Sequence, residues 1–182
     1  VTVTIKPRTV DVTWDIAESY TYSVNCQETP KAYILKVDGN WAEINVVEAD
    51  GKVFKDAGVY TFEASLTDDL TTNYVLGNNI ISENISISKA SINLTSSKWN
   101  YTNAFTYTGL AQTVAVTGVT LPSDVKIDYQ NNSKVNAGTY QASAELNYES
   151  NNYDVVGSLP ADLTWTINPK AATVIWTDAD DR

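Results

Sequence analysis

The stretch Asp56-Ala57-Gly58-Val59-Tyr60 is followed 80 residues later by Asn136-Ala137-Gly138-Thr139-Tyr140, and each opens a strand with the same side-chain alternation. Tyr60, Phe62, Ala64 and Leu66 fall on one face, as do Tyr140, Ala142, Ala144 and Leu146. Alternation at period two places one face on a core and the other in water, which predicts a half-buried strand. Downstream, Asn73-Tyr74-Val75 matches Asn152-Tyr153-Asp154-Val155. Upstream, Tyr20-Thr21-Tyr22-Ser23 matches Phe105-Thr106-Tyr107-Thr108, Gln27 matches Gln112, and Ile44 matches Ile127. Matches in one order at a near-constant offset mark an internal duplication, and a period of this size decides the architecture.

Three segments close with the same alternation: Val1-Thr2-Val3-Thr4-Ile5, Asn84-Ile85-Ser86-Ile87 and Leu163-Thr164-Trp165-Thr166-Ile167. From Ile5 to Ile87 is 82 residues and from Ile87 to Ile167 is 80. An opening strand follows each, Val10-Asp11-Val12-Thr13-Trp14, Ile92-Asn93-Leu94 and Thr173-Val174-Ile175-Trp176. The expected fold is all-β, two tandem immunoglobulin-like antiparallel β-sandwiches. The first repeat spans 1–88, with 1–5 either its own edge or the last strand of a preceding copy. The second spans 89–168, and 169–182 is the first strand of a following copy or an edge strand. At least one of these terminal strands should find a pairing partner. Only Ser88-Lys89-Ala90-Ser91 separate Ile87 from Ile92, a link of roughly 13 Å at the rise of an extended chain, so the modules should touch as a semi-rigid rod.

Composition agrees with this reading. Strand formers abound, including 11 Tyr and 5 Trp, and no stretch has convincing helical periodicity. A net charge of −10 with scattered lysines and arginines argues against nucleic acid, which requires a basic stripe, and against docking on anionic lipid. No apolar run in this stretch suits membrane insertion. The single Cys26 excludes an internal disulfide, suits an exported bacterial or a cytosolic protein, and reads as a small buried filler.

The second repeat resembles the bacterial MBG-type immunoglobulin-like repeats over nearly all of 89–170. The likeness rests on Phe105-Thr106-Tyr107-Thr108-Gly109, Gln112, Val114-Ala115-Val116-Thr117-Gly118, Leu121 to Tyr129, Asn131-Asn132-Ser133-Lys134, and the Asn136-Ala137-Gly138-Thr139-Tyr140 turn. The first repeat shares the anchors but has loops of its own, with Glu28-Thr29-Pro30-Lys31 and Asp38-Gly39-Asn40-Trp41 adding residues before Ala57. The resemblance implies a tandem array in a cell-surface protein or adhesin, extracellular and bacterial, and no shared catalytic residue. A tyrosine following such a turn is expected to pack back on it, with Gly58 and Gly138 permitting the bend.

The absence of histidine removes the usual general base and the histidine-dependent nucleophiles and metal sites. No catalytic residue, cofactor or metal site is expected; Asp68-Asp69 and Asp178, Asp180 and Asp181 read as solvated turns. Lys36, Lys52, Lys126 and Lys134 could enter Lys–Asn cross-links, with no partner evident. Most aromatic residues alternate onto the core face. Trp41, in the first repeat's extra loop, and Trp99 with Tyr101, a pair without an evident counterpart in the first repeat, are the candidate ligand-binding residues. They would either stack on a host or environmental glycan or glycoprotein, or cover the ends of a sandwich. The expected function is a non-enzymatic stalk projecting a binding region, or alternatively an adhesin module. The remaining partner is a neighbouring repeat of the same chain.

Overall fold

The computed structural model describes residues 2–77 and 81–176. Every helix-or-strand element there is a strand, arranged in several sheets, the composition of a β-sandwich protein. The chain divides into two compact units: Val1–Ser91 with Glu149–Asp154, and Ile92–Tyr148 with Val155–Arg182. The first unit thus runs three residues past the expected end at 88 and includes the hexapeptide Glu149–Asp154, which lies far along the chain.

Through residues 2–88 run β1 (Arg8–Val10), β2 (Val12–Asp15), β3 (Tyr20–Thr21), β4 (Lys31–Leu35), β5 (Trp41–Glu48), β6 (Gly58–Ser65), β7 (Tyr74–Leu76) and β8 (Ser82–Ser88). Six form one sheet in the order β2-β4-β5-β6-β8-β3, while β1 and β7 pair in parallel. The strand that follows the Asp56-Ala57 turn is β6. Its even positions Tyr60, Phe62 and Ala64 are buried, as the alternation requires. One core cluster gathers Val12, Ala32, Ile34, Ile44 and Tyr74, with Trp14 packed against it. A second focus is aromatic: Phe54 meets Tyr20, Tyr60 and Phe62 edge-on, each at 5.0 Å between ring centroids.

From residue 89 onward run β9 (Ala90–Asn93), β10 (Lys98–Trp99), β11 (Phe105–Thr106), β12 (Gln112–Thr113), β13 (Val116–Thr117), β14 (Lys126–Gln130), β15 (Ser133–Lys134), β16 (Gly138–Asn147), β17 (Tyr153–Val156) and β18 (Leu163–Asn168). The main sheet is β11-β18-β16-β14, with short pairs β10-β13, β12-β15 and β17-β9. Val114, Ala142, Trp165 and Ile167 are its buried cluster. Registers correspond between the units. Gly58 faces Ile87 across an antiparallel pair and Tyr20 faces the same residue across a parallel one. Gly138 and Phe105 face Ile167 in the same two ways.

Some expectations fail. Residues 2–7 and 171–176 lie in no strand, and Val3, Ile5, Val174, Ile175 and Trp176 are exposed. Neither expected terminal strand is paired among the described residues, because alternation forms a ladder only where a neighbouring edge offers backbone partners. Cys26 is exposed rather than a core filler. The two glycines of the repeated turn also serve different needs. Gly58 has a φ of +155°, which side chains rarely adopt, whereas a Cβ at Gly138 would lie 3.1 Å from the Tyr140 hydroxyl.

Candidate functional site

The turn that presents Trp41 is built from Lys36-Val37-Asp38-Gly39-Asn40. Gly39 takes a left-handed φ of +82°, its N–H donating to Lys36 O at 3.1 Å, and Lys36 N–H donates to Asn40 O at 2.9 Å. Asp38 Oδ1 accepts the Asn40 N–H at 3.0 Å, and Lys36 Nζ donates to Asp38 Oδ2 at 3.2 Å. The Asn40 backbone N–H, then the Asn40 side chain and Lys36, hold the Asp38 carboxyl below its ordinary range. A carboxylate accepting such donors favours its charged form.

This turn joins β4 to β5 with Trp41 opposite Leu35. Along β5 the odd positions Trp41, Glu43, Asn45 and Val47 face out, while Ile44 faces the core. Trp41 is 57% exposed, and Leu35 and Val37 beside it are exposed too. Tyr33, half-buried, sits across from Glu43. The hairpin therefore offers a flat apolar face bordered by a carboxylate. Such a face can stack on a sugar ring or lie against an apolar partner.

Trp99 and Tyr101 are placed differently. Trp99 is half-buried on β10, packs against the Val114–Trp165 cluster, and donates its Nε1–H to Ala161 O at 2.8 Å. Tyr101 lies on the same cluster, where its hydroxyl accepts the Thr166 N–H at 3.0 Å, and its ring meets Phe105 at 5.7 Å. Trp14 is half-buried on β2 and packs against the first unit's core cluster. Trp41 belongs to the first unit, Trp99 and Tyr101 to the second.

Concavities are shallow. One of about 320 Å³ is lined by Asp15, Tyr20, Glu28, Lys31 and Tyr33 among others. Among the described residues no three Asp, Glu, Cys or His side chains gather as metal ligands would, and no helix is long and apolar enough to cross a membrane. Asp68 and Asp69 are exposed in a turn where Asp69 accepts the Thr67 hydroxyl. Asp178, Asp180 and Asp181 lie outside the described residues. Lys36, Lys52 and Lys126 form ion pairs with the nearby Asp38, Asp50 and Asp128. Lys134 Nζ donates to Asn131 Oδ1 at 3.0 Å in an exposed turn.

Phe54 and Asn152 have packing and hydrogen-bonding roles that the sequence did not reveal. Phe54 lies in an irregular segment without alternation, so no pattern flags it. Asn152 was visible only as an anchor of the repeat. It is 4% exposed, and both halves of its carboxamide are engaged within the first unit. Its Oδ1 accepts the Ala57 N–H at 2.8 Å, and its Nδ2 donates to Asp56 Oδ1 at 2.9 Å.

No family model matches this chain, and no curated protein matches it.

Proposed function

We propose that this chain is a non-enzymatic stretch of two tandem immunoglobulin-like repeats from a bacterial surface protein, a semi-rigid extracellular stalk that projects a binding region. The observation that carries the reading is the doubled tyrosine corner. Tyr60 donates its hydroxyl proton to Asp56 O and Tyr140 to Asn136 O, both at 2.8 Å and both four residues back. A tyrosine bonding to backbone just upstream of its strand is a hallmark of immunoglobulin-like sandwiches. Two such corners at one period, with matching registers to β8 and β18, support like modules in series. The MBG-type resemblance of 89–170 supports the surface location, and the lack of histidine supports a role without catalysis.

A second reading, an adhesin module recognising a host or environmental glycan or glycoprotein, is favoured by the exposed face of Trp41. In that reading Trp41 carries the stacking, with Trp99 and Tyr101 as the weaker candidates. A glycan array screened with the intact chain separates the two. The stalk predicts no binding across a broad array; one reproducible hit abolished by Trp41→Ala overturns it in favour of the adhesin.

A further inference from the structure

The hexapeptide Glu149–Asp154 does more within the first unit than close a turn. Asn152 grips the Asp56-Ala57 corner with both ends of its carboxamide. Tyr153 meets Tyr22 edge-on at 5.1 Å between centroids. Lys89 Nζ donates to Ser150 O at 3.0 Å and lies 3.6 Å from Asp154. A buried amide satisfied on both sides beside a buried aromatic pair is a specific seat rather than casual packing.

The same seat recurs in the second unit without an occupant among the described residues. Tyr107 is the counterpart of Tyr22: Tyr22 N–H donates to Ser88 O and Tyr107 N–H to Asn168 O, each at 2.8 Å. Yet Tyr22 is 8% exposed and Tyr107 37%. Asn136 and Ala137, counterparts of Asp56 and Ala57, are exposed as well. Asn136 carries the carbonyl oxygen needed to accept from an amide where Asp56 uses a carboxylate oxygen. The lysine is displaced by one position, to Lys170, since Asn168 aligns with Ser88.

The complementary turn is also present once more. Asn73 O accepts the Arg8 N–H at 2.8 Å just as Asn152 O accepts the Ala90 N–H at 3.0 Å. Asn73 is exposed where Asn152 is buried, and Tyr74 follows it as Tyr153 follows Asn152. Among the described residues there are thus one filled seat, one open seat and one Asn-Tyr turn whose amide is exposed. Such self-complementary faces propagate head to tail without closing.

We propose that Asn136, Ala137 and Tyr107 form a docking surface for the Asn-Tyr turn of a following copy of this module, whose asparagine grips that corner as Asn152 grips Asp56-Ala57. This rests on the module reading above, and the test separates the two. The chain is extended from Lys170 by a further copy of residues 91–168, and amide hydrogen exchange is followed by NMR. Exchange at Ala137 should slow by about tenfold or more relative to the unextended chain, the sign of a newly protected amide. Changing the added copy's counterpart of Asn152 to alanine should restore the fast rate, while Asn152→Ala in the original chain should release Ala57. An added copy that folds but leaves Ala137 exchanging at its former rate overturns the docking surface and leaves the modules standing. An added copy that gives no folded signals of its own overturns the module reading and the surface with it. Protection of Ala137 that grows with concentration in the unextended chain assigns the surface to association between separate chains and overturns the in-line occupant.

Discussion

A tyrosine hydroxyl directed at a carbonyl four residues upstream satisfies a backbone acceptor that the turn itself leaves open, at Asp56 and again at Asn136. A net intramolecular hydrogen bond is worth about 0.5–1.5 kcal/mol, more when loss strands a buried partner. Tyr60→Phe should therefore lower stability by about 1 kcal/mol, read as a shifted urea midpoint with unchanged slope. Tyr140→Phe should cost less, because its corner is exposed and water can replace the hydroxyl. Equal and negligible effects would mean the hydroxyls do not hold the corners. Asp38 is the other residue with a measurable signature. Its carboxyl is depressed, so the stabilisation of its turn is present above the unfolded-state value and is lost as pH falls through the folded one. A carbon-13 titration should give an Asp38 midpoint below 3.8. The Asn40 amide shift should move with it, since that N–H is the first cause of the depression.

At the scale of elements, β8 and β18 occupy equal registers but fill their cores by different means. Tyr60 lies opposite Ile85, whereas Tyr140 lies opposite Trp165. The smaller isoleucine leaves room that the first unit fills with Phe54, brought in from the segment before β6. In the second unit the indole itself does that work, meeting Phe105 at 5.9 Å and Tyr140 at 5.3 Å. Phe54→Ala should remove three edge-on aromatic contacts and leave a cavity, a loss of about 3–5 kcal/mol for a well-packed phenylalanine. A loss below about 1 kcal/mol would show that Phe54 is peripheral. β6 and β18 were legible from alternation alone, since their faces are buried as the pattern requires. Phe54 was not legible, because a side chain arriving from irregular backbone has no period to announce it.

For the molecule as a whole, two separate clusters of buried side chains predict that damage to one unit stays there. Phe54→Ala should move one of two unfolding transitions, followed by tryptophan fluorescence and amide signals, and leave the Trp165-centred one in place. A single transition shifted as a block would mean the units unfold together. Asn152 is the exception to the partition by sequence. Although it lies beyond residue 148 in the chain, it belongs to the first unit.

The amino-acid order by itself determined the strand character, the 80-residue recurrence and the core faces of β6, β8 and β18. Those properties are local, set by period-two alternation and by residues that fit a pleated surface. Only the tertiary structure decided that Trp41 is exposed while Trp99 and Tyr101 lie against a core, and that terminal alternation goes unpaired. It also decided that Asn152 completes a unit to which its sequence position does not assign it. Each of these depends on which surfaces meet across long sequence separation, and one-dimensional patterning carries no record of the partner.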